Sequence, residues 1–262
     1  FEQKPSLKAF DRYVAINSHI RRAFVDHHGI AESRVDLIHH MIDDRRFSHR
    51  DLLAGERAIA LERWKLPEGR PLFAQVGRLT AQKQPLVFLS MAREALAAGD
   101  DAHFVLVGSG ELAGECDAFI SRHGLNNVTR VPFIEDPSAF FPLLSGLVLC
   151  SAFEGLPIVV LESLACGIPV LSTDVGDVKL VLGDYGSGMI TGEGESMYAA
   201  LLRFREGLPG LTAAAAEHAA AVRTRFSTAT IGQKYAATFR AAMSQRSTRI
   251  DIGPESGLTV VM

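Results

Sequence analysis

The sequence predicts an α/β fold, a parallel sheet with helices on both faces. Three observations carry that expectation. From Pro71 onward, short apolar runs alternate with longer amphipathic ones, as repeated βαβ units do. Glycines or charges stand immediately after several of the apolar runs, where such sheets place their loops. Hydrophobic residues make up 47% of the chain and charged residues 22%, enough apolar side chain for a large core.

The elements follow in order. Residues 13–16 read as a strand, Ser18 as the cap of a helix running to about His28, and residues 35–38 as a second strand. The charged stretch 43–46 reads as a linker and 51–64 as a helix. Strands are then expected at 72–76, 103–107, 128–131, 146–150, 170–172 and 188–190. Helices are expected at 85–98, 111–123, 138–144, 157–166 and 195–205, a Rossmann-like alternation. Pro157 fits the first helical position and Gly167 the position after the helix end. Two alanine-rich helices follow near 211–225 and 228–243, and 244–262 receives no element.

Composition excludes several classes of function. The length of 262 residues lies between one and two domains, and the chain opens at Phe1 rather than methionine. A net charge of -3 implies no polyanion-binding face, so no nucleic acid partner is expected. Cys116, Cys150 and Cys166 are odd in number and widely spaced, which fits a reducing compartment. No histidine or cysteine spacing resembles a metal site. The uncharged run 137–153 holds two prolines and falls short of the roughly 20 apolar residues of a membrane span. The polar opening residues predict no signal peptide.

Four loops at the carboxyl ends of the expected strands are candidates for chemistry. The first, Gly77-Arg78-Leu79-Thr80-Ala81-Gln82-Lys83, puts two cations on a loop that opens a helix. A guanidinium fork, an ammonium and free helix N–H groups suit a diphosphate, although two solvated cations would read the same way. The second, Gly108-Ser109-Gly110, misses the dinucleotide fingerprint by one residue, and its glycines read better as a tight turn. The third runs from Ser151 to Pro157 into a helix on which Glu162 is the only charge between Glu154 and Asp174. A carboxylate on so apolar a helix either bonds neighbouring backbone or accepts hydroxyls from a ligand, and both readings stand at this point. The fourth holds Asp174 and Asp177, which read as loop caps.

Glu154-Gly155-Leu156-Pro157 with Glu162 eight residues after Glu154 is an E-x7-E motif, followed by Ala165-Cys166-Gly167-Ile168-Pro169-Val170. This block closely resembles the signature of the retaining, nucleotide-sugar-dependent glycosyltransferases of the GT-B fold, the group 1 glycosyltransferases. Val76-Gly77-Arg78-Leu79 with Lys83 resembles the family's V-G-R-L…K loop. Val107-Gly108-Ser109-Gly110 resembles its V-G-x-G turn, and Ile42-Asp43 with Phe47 the end of its linker. Phe226, Tyr235 and Phe239 resemble its closing helix, so the likeness spans about residues 12 to 243.

The resemblance implies the C-terminal half of a GT-B fold that transfers a sugar from a UDP- or GDP-sugar, with retention of configuration. Residues 1–47 would be the trailing part of an N-terminal acceptor domain with its linker, 48–243 the donor-binding domain, and 244–262 a tail. Arg78 and Lys83 would hold the diphosphate and, with Glu154 facing the donor sugar, form the catalytic set. Glu162 would accept the ribose hydroxyls. Gly77 and the backbone of Gly155, Leu156 and Pro157 would support sugar and phosphate, and Phe133 and Ile134 would border the base. The nucleotide-sugar is a substrate, and neither a cofactor nor a metal is expected. The implied acceptor is a glycan, lipid or small molecule. The implied place is the cytoplasm, with peripheral contact at the inner membrane face through the preceding domain.

Three positions depart from the family pattern. His40-Met41 stands for N-G in the linker, and Glu135 stands where a glycine is usual, beside the expected base site. Gly176-Asp177-Val178-Lys179-Leu180 stands for G-G-x-P-E. Asp177 would then set a negative side chain against the donor phosphate and weaken donor binding. The expected lack of an acceptor domain beyond its trailing part, together with that departure, motivates one alternative, a non-catalytic nucleotide-sugar binding module. A nucleotide-dependent oxidoreductase resting on the Gly108 turn is another.

Overall fold

The computed structural model describes residues 10–247. Its centre is a six-stranded sheet in which every pairing is parallel. Ahead of it lie β1 (Tyr13–Ala15), α1 (Ser18–Asp26), β2 (Val35–Leu37) and α2 (Ala54–Arg63). The sheet then alternates β3 (Leu72–Val76), α3 (Pro85–Ala97), β4 (His103–Val107), α4 (Ala113–His123), β5 (Val128–Val131) and β6 (Gly146–Leu149). It continues through α5 (Ile158–Ala165), β7 (Val170–Ser172), α6 (Val178–Tyr185) and β8 (Gly188–Ile190) to α7 (Met197–Glu206). Two long helices close the chain, α8 (Leu208–Phe226) and α9 (Thr228–Ser247).

The strand order is β5-β4-β3-β6-β7-β8. Counted within the sheet this is 3-2-1-4-5-6, the Rossmann order, so the predicted fold class is the observed one. The order reverses between β3 and β6, and the crevice above their carboxyl ends is where such sheets bind ligands. Alternate strand residues face opposite layers. Leu72, Ala74, Val105 and Leu147 join α5, α6 and α8 in one core, while Phe73, Phe104, Leu106 and Val148 join α3 and α7 in the other. Burial on both sides explains why β3 and β4 are almost wholly apolar.

β1 and β2 form a separate parallel pair around α1, with their own small cluster of Tyr13, Ala15, Ile30 and Val35. The chain crosses between this unit and the large sheet twice, side by side. Ile42 donates its N–H to Phe226 O at 2.9 Å, and Thr228 N–H reaches the Asp44 carboxylate at 3.2 Å. α9 then returns to the small unit, where Thr238 donates to Asp36 at 2.7 Å.

Several element expectations need correction. The helix expected at 138–144 is two isolated 3₁₀ turns, Pro137–Ala139 and Phe141–Leu143. Pro142 has no N–H for the bond to residue 138 and disfavours helical geometry at Phe141. No helix was expected between β7 and β8, yet α6 is there, burying Val178, Val181, Leu182 and Tyr185 at helical spacing. Asn17, not Ser18, caps α1, accepting from Ile20 N–H at 2.7 Å. Pro157 is the cap of α5 rather than its first residue, with extended backbone at ψ 131. Gly167, at φ 75, ends α5 as expected: its N–H bonds Leu164 O and that of Ile168 bonds Ser163 O, a Schellman closure. α9 runs to Ser247, into the span expected to lack structure, and residues 248–262 of that span lie outside the described residues.

Candidate functional site

The loops after β3 and β6 meet above the point where the strand order reverses. Gln75, a buried amide in an otherwise apolar strand, donates to Lys83 O at 2.8 Å and so anchors the far end of the β3 loop. Ala152 N–H bonds Gln82 O at 2.8 Å, and the Gln82 amide donates to Phe153 O at 3.0 Å, stitching the two loops together. The result brings Lys83 Nζ to 2.5 Å from Glu154 Oε1. Ser151 Oγ donates to the same oxygen at 2.8 Å. The Glu154 and Lys83 side chains are 8% and 19% exposed, so the pair is largely withdrawn from water. Losing either charge would leave the other poorly solvated. Sequence reasoning placed Gln82 and Ser151 in the candidate loops without giving them a role, and missed Gln75. Gln75 had left a signal, a polar residue inside an apolar run.

Arg78 stands on the same loop, exposed, with no hydrogen bond or ion pair of its side chain among the described residues. Gly77 sits beneath it at φ 151, and a Cβ there would lie 3.8 Å from Lys83 Cε. The Gly108 turn is structural, as its spacing suggested. Gly108 has φ 137, and a Cβ on it would fall 1.8 Å from Gly77 O. Gly77 N–H bonds Val107 O and Leu79 N–H bonds Ser109 O, so the β3 and β4 loops lie backbone to backbone. The helix that opens after Lys83 offers little to an anion, because Pro85 has no N–H and Val87 N–H is bonded to Gln84 O.

Beyond Glu154 the chain turns into α5. Leu156 and Pro157 are buried, and the Leu156 side chain belongs to the core. Pro157 has no N–H to give. Gly155 and Leu156 N–H donate to nothing among the described residues. About one turn along α5, Glu162 is half-buried with no hydrogen-bond partner among the described residues. The backbone-bonded reading of Glu162 therefore falls away. Burial pushes its carboxyl up to about 7, with the Arg46 charge pulling the other way. Arg46 also pairs with Asp136 at 3.0 Å, which ties the linker to the loop after β5. In that loop Phe133 is 72% exposed, while Ile134 packs on the core.

Asp177 does not sit as its place in the motif suggested. Its side chain is buried and turned toward the β1–α1–β2 unit. It accepts from Ser18 N–H at 2.8 Å, Ser18 Oγ at 2.5 Å and His39 Nε2 at 2.9 Å. Burial acts to raise its carboxyl, but the hydrogen bonds from Ser18 and His39 outweigh that and hold it below the ordinary value. It is therefore no like charge aimed at the crevice. Asp177 does occupy the cap position of α6, without a cap bond from its side chain, and Asp174 pairs with Lys179 at 3.4 Å. Among the described residues no group of three or more His, Cys, Asp or Glu side chains could hold a metal. No helix among them is long and apolar enough to cross a membrane.

Residues 56–208, more than half of the chain, match the family described as Glycosyl transferases group 1. The chain is 30% identical over 228 residues to a D-inositol 3-phosphate glycosyltransferase of Nocardiopsis dassonvillei, covering 80% of this chain and 52% of that protein. It is 32% identical over 139 residues to an alpha-D-kanosaminyltransferase of Streptomyces kanamyceticus, covering 51% and 35%. The chain thus spans about half, or less, of the length of these curated relatives. Among solved structures, Anabaena HepE in complex with UDP and glucose superposes with a TM-score of 0.73 at 20% identity, over 88% of this chain and 63% of that one. A glycosyltransferase of Rickettsia africae superposes with 0.73 at 16% identity, over 89% and 64%. At these identities the structural likeness speaks for the fold.

Proposed function

The chain belongs to the group 1 glycosyl transferases, and from that premise we propose that residues 48–243 are the donor-binding part of an enzyme that moves a sugar from a nucleotide-sugar to an acceptor. Residues 1–47 are then the trailing part of the acceptor domain and the linker. A UDP-sugar is the first donor to test, because the similar HepE fold binds UDP and glucose.

One observation carries the reading. Glu162 holds a half-buried carboxyl on an apolar helix, with no hydrogen-bond partner among the described residues, eight residues after Glu154 of the Lys83–Glu154 pair. An enzyme has little other use for so costly a group than to bind a polar ligand. Ribose hydroxyls donating to Glu162 would satisfy it. Arg78 and Lys83 would take the diphosphate, and the Gly155 and Leu156 backbone N–H groups the donor sugar. Phe133 and Ile134 would border the base.

Cleavage of the anomeric C–O bond sends an electron pair to the diphosphate and leaves positive charge on the sugar. Fixed cations at the leaving oxygen stabilise that charge as it forms. Glu154, freed from Lys83 as the phosphate arrives, would orient sugar hydroxyls and offset the positive charge. Transfer to the face the diphosphate leaves would retain configuration, as family analogy suggests. Asp177 lends no support to a binding-only module, since its side chain is spent on Ser18 and His39.

Titration calorimetry with UDP and GDP tests the reading. One of the two is expected to bind, and Arg78→Ala combined with Glu162→Ala is expected to weaken it at least tenfold, on the order of two lost charge-assisted contacts. Absence of binding to either nucleotide, or unchanged binding in the double variant, would defeat the assignment of the donor site.

A further inference from the structure

Asp177 joins two parts of the molecule through different atoms. Its backbone N–H donates to Gly155 O at 2.8 Å, holding the turn that follows Glu154. Its carboxylate accepts from Ser18 N–H, Ser18 Oγ and His39 Nε2, holding the small β1–α1–β2 unit from the start of α1 and the end of β2. The fit around it is close. A Cβ on Gly155 would lie 2.9 Å from Asn17 Nδ2, so the small unit rests directly on that turn. Gly176, at φ 52, would put a Cβ 1.9 Å from Gly155 O, which brings the preceding backbone equally close. With 1% of Asp177 exposed, water cannot replace these partners without the interface opening.

We infer that Asp177 is a positioning residue that couples the β1–α1–β2 unit to the Glu154–Gly155–Leu156 turn, so that the sugar side of the site is held in place by the preceding unit. The inference deepens the donor-site reading and rests on it for the role of the turn. Movement of the small unit pulls on Asp177, and Asp177 N–H passes the displacement to Gly155 O. The nucleotide side of the site, Arg78 and Lys83 on the loop anchored by Gln75 and Glu162 on α5, does not run through this residue. The coupling is therefore selective for the part of a donor beyond the diphosphate.

Amide hydrogen exchange and calorimetry on the full chain test it, using Asp177→Ala and the milder Ser18→Ala. Faster exchange is expected in both variants at residues 18–20 and 155–158 together. A rise confined to residues 176–180, or no rise, overturns the coupling. With UDP and UDP-glucose as probes, Asp177→Ala is expected to weaken UDP-glucose about tenfold and UDP less than about twofold, the scale of a typical coupling between sites. Equal losses for the two ligands would mark general destabilisation and overturn the inference. If the unaltered chain binds neither probe, the donor reading fails, while the exchange pattern still decides whether Asp177 couples the two parts.

Discussion

Glu162 and His103 titrate in overlapping ranges with opposite effects on stability. Burial lifts Glu162 from its ordinary value of 4.5 to about 7, so the folded chain holds a proton that the unfolded chain has lost. Stability therefore falls as pH rises from about 4.5 to about 7. Burial lowers His103 from 6.5 to about 4, with Arg70 adding to the effect, and its Nε2 meets Thr129 Oγ1 at 2.8 Å. Here the unfolded chain binds the extra proton, and stability falls as pH drops from about 6.5 to about 4. Glu162→Gln should raise the thermal midpoint at pH 8, by on the order of 2 kcal/mol of stability, and His103→Gln should reduce the acid loss. Thermal melts across pH 4–8 check both, and parallel profiles for all three proteins would contradict the assignments. Lys83→Ala leaves Glu154 with Ser151 and Gln82 alone, and should cost about 3 kcal/mol in a denaturant melt. The carboxylates and cations themselves were visible in the sequence as an E-x7-E block and a V-G-R-L…K loop. Their pairing was not, because Lys83 and Glu154 are 71 residues apart and meet only through loop stitching.

At the scale of the element, regular strands and helices were legible and closely knit turns were not. All six strands of the large sheet stand where apolar runs announced them, because strands covered on both faces have little choice of side chain. α6 went unseen although Val178, Val181, Leu182 and Tyr185 carry its period, since only eight residues separate the flanking loops. The supposed helix at 138–144 failed on the backbone chemistry of Pro142 despite an apolar composition. The Gly108 turn was read correctly as a tight turn, yet its partner, the Gly77 carbonyl, could come only from the fold. Gly108→Ala should therefore cost more than about 2 kcal/mol and disturb the Arg78 loop, because no side chain fits against Gly77 O. Gly114→Ala, with nothing within 4 Å, serves as its control in the same melts.

For the whole molecule, the Rossmann order places every candidate loop at one end of the sheet, which makes the loop sequences informative about function. What the sequence could not convey was how residues 10–40 lie. The linker departure at His40-Met41 and the one at Asp177 seemed unrelated along the chain, and the fold brings His39, next to that linker pair, into a hydrogen bond with Asp177. The central claim is that Glu162 binds the nucleoside part of a donor as a carboxylate. UDP titrations of the unaltered chain and of Glu162→Gln at pH 6 and pH 8 address it most directly. With a carboxyl near 7, the ionised fraction rises about tenfold over that interval, and the affinity of the unaltered chain should rise with it, well beyond the change in Glu162→Gln. Equal affinities for the two proteins, with the same dependence on pH, would contradict the account.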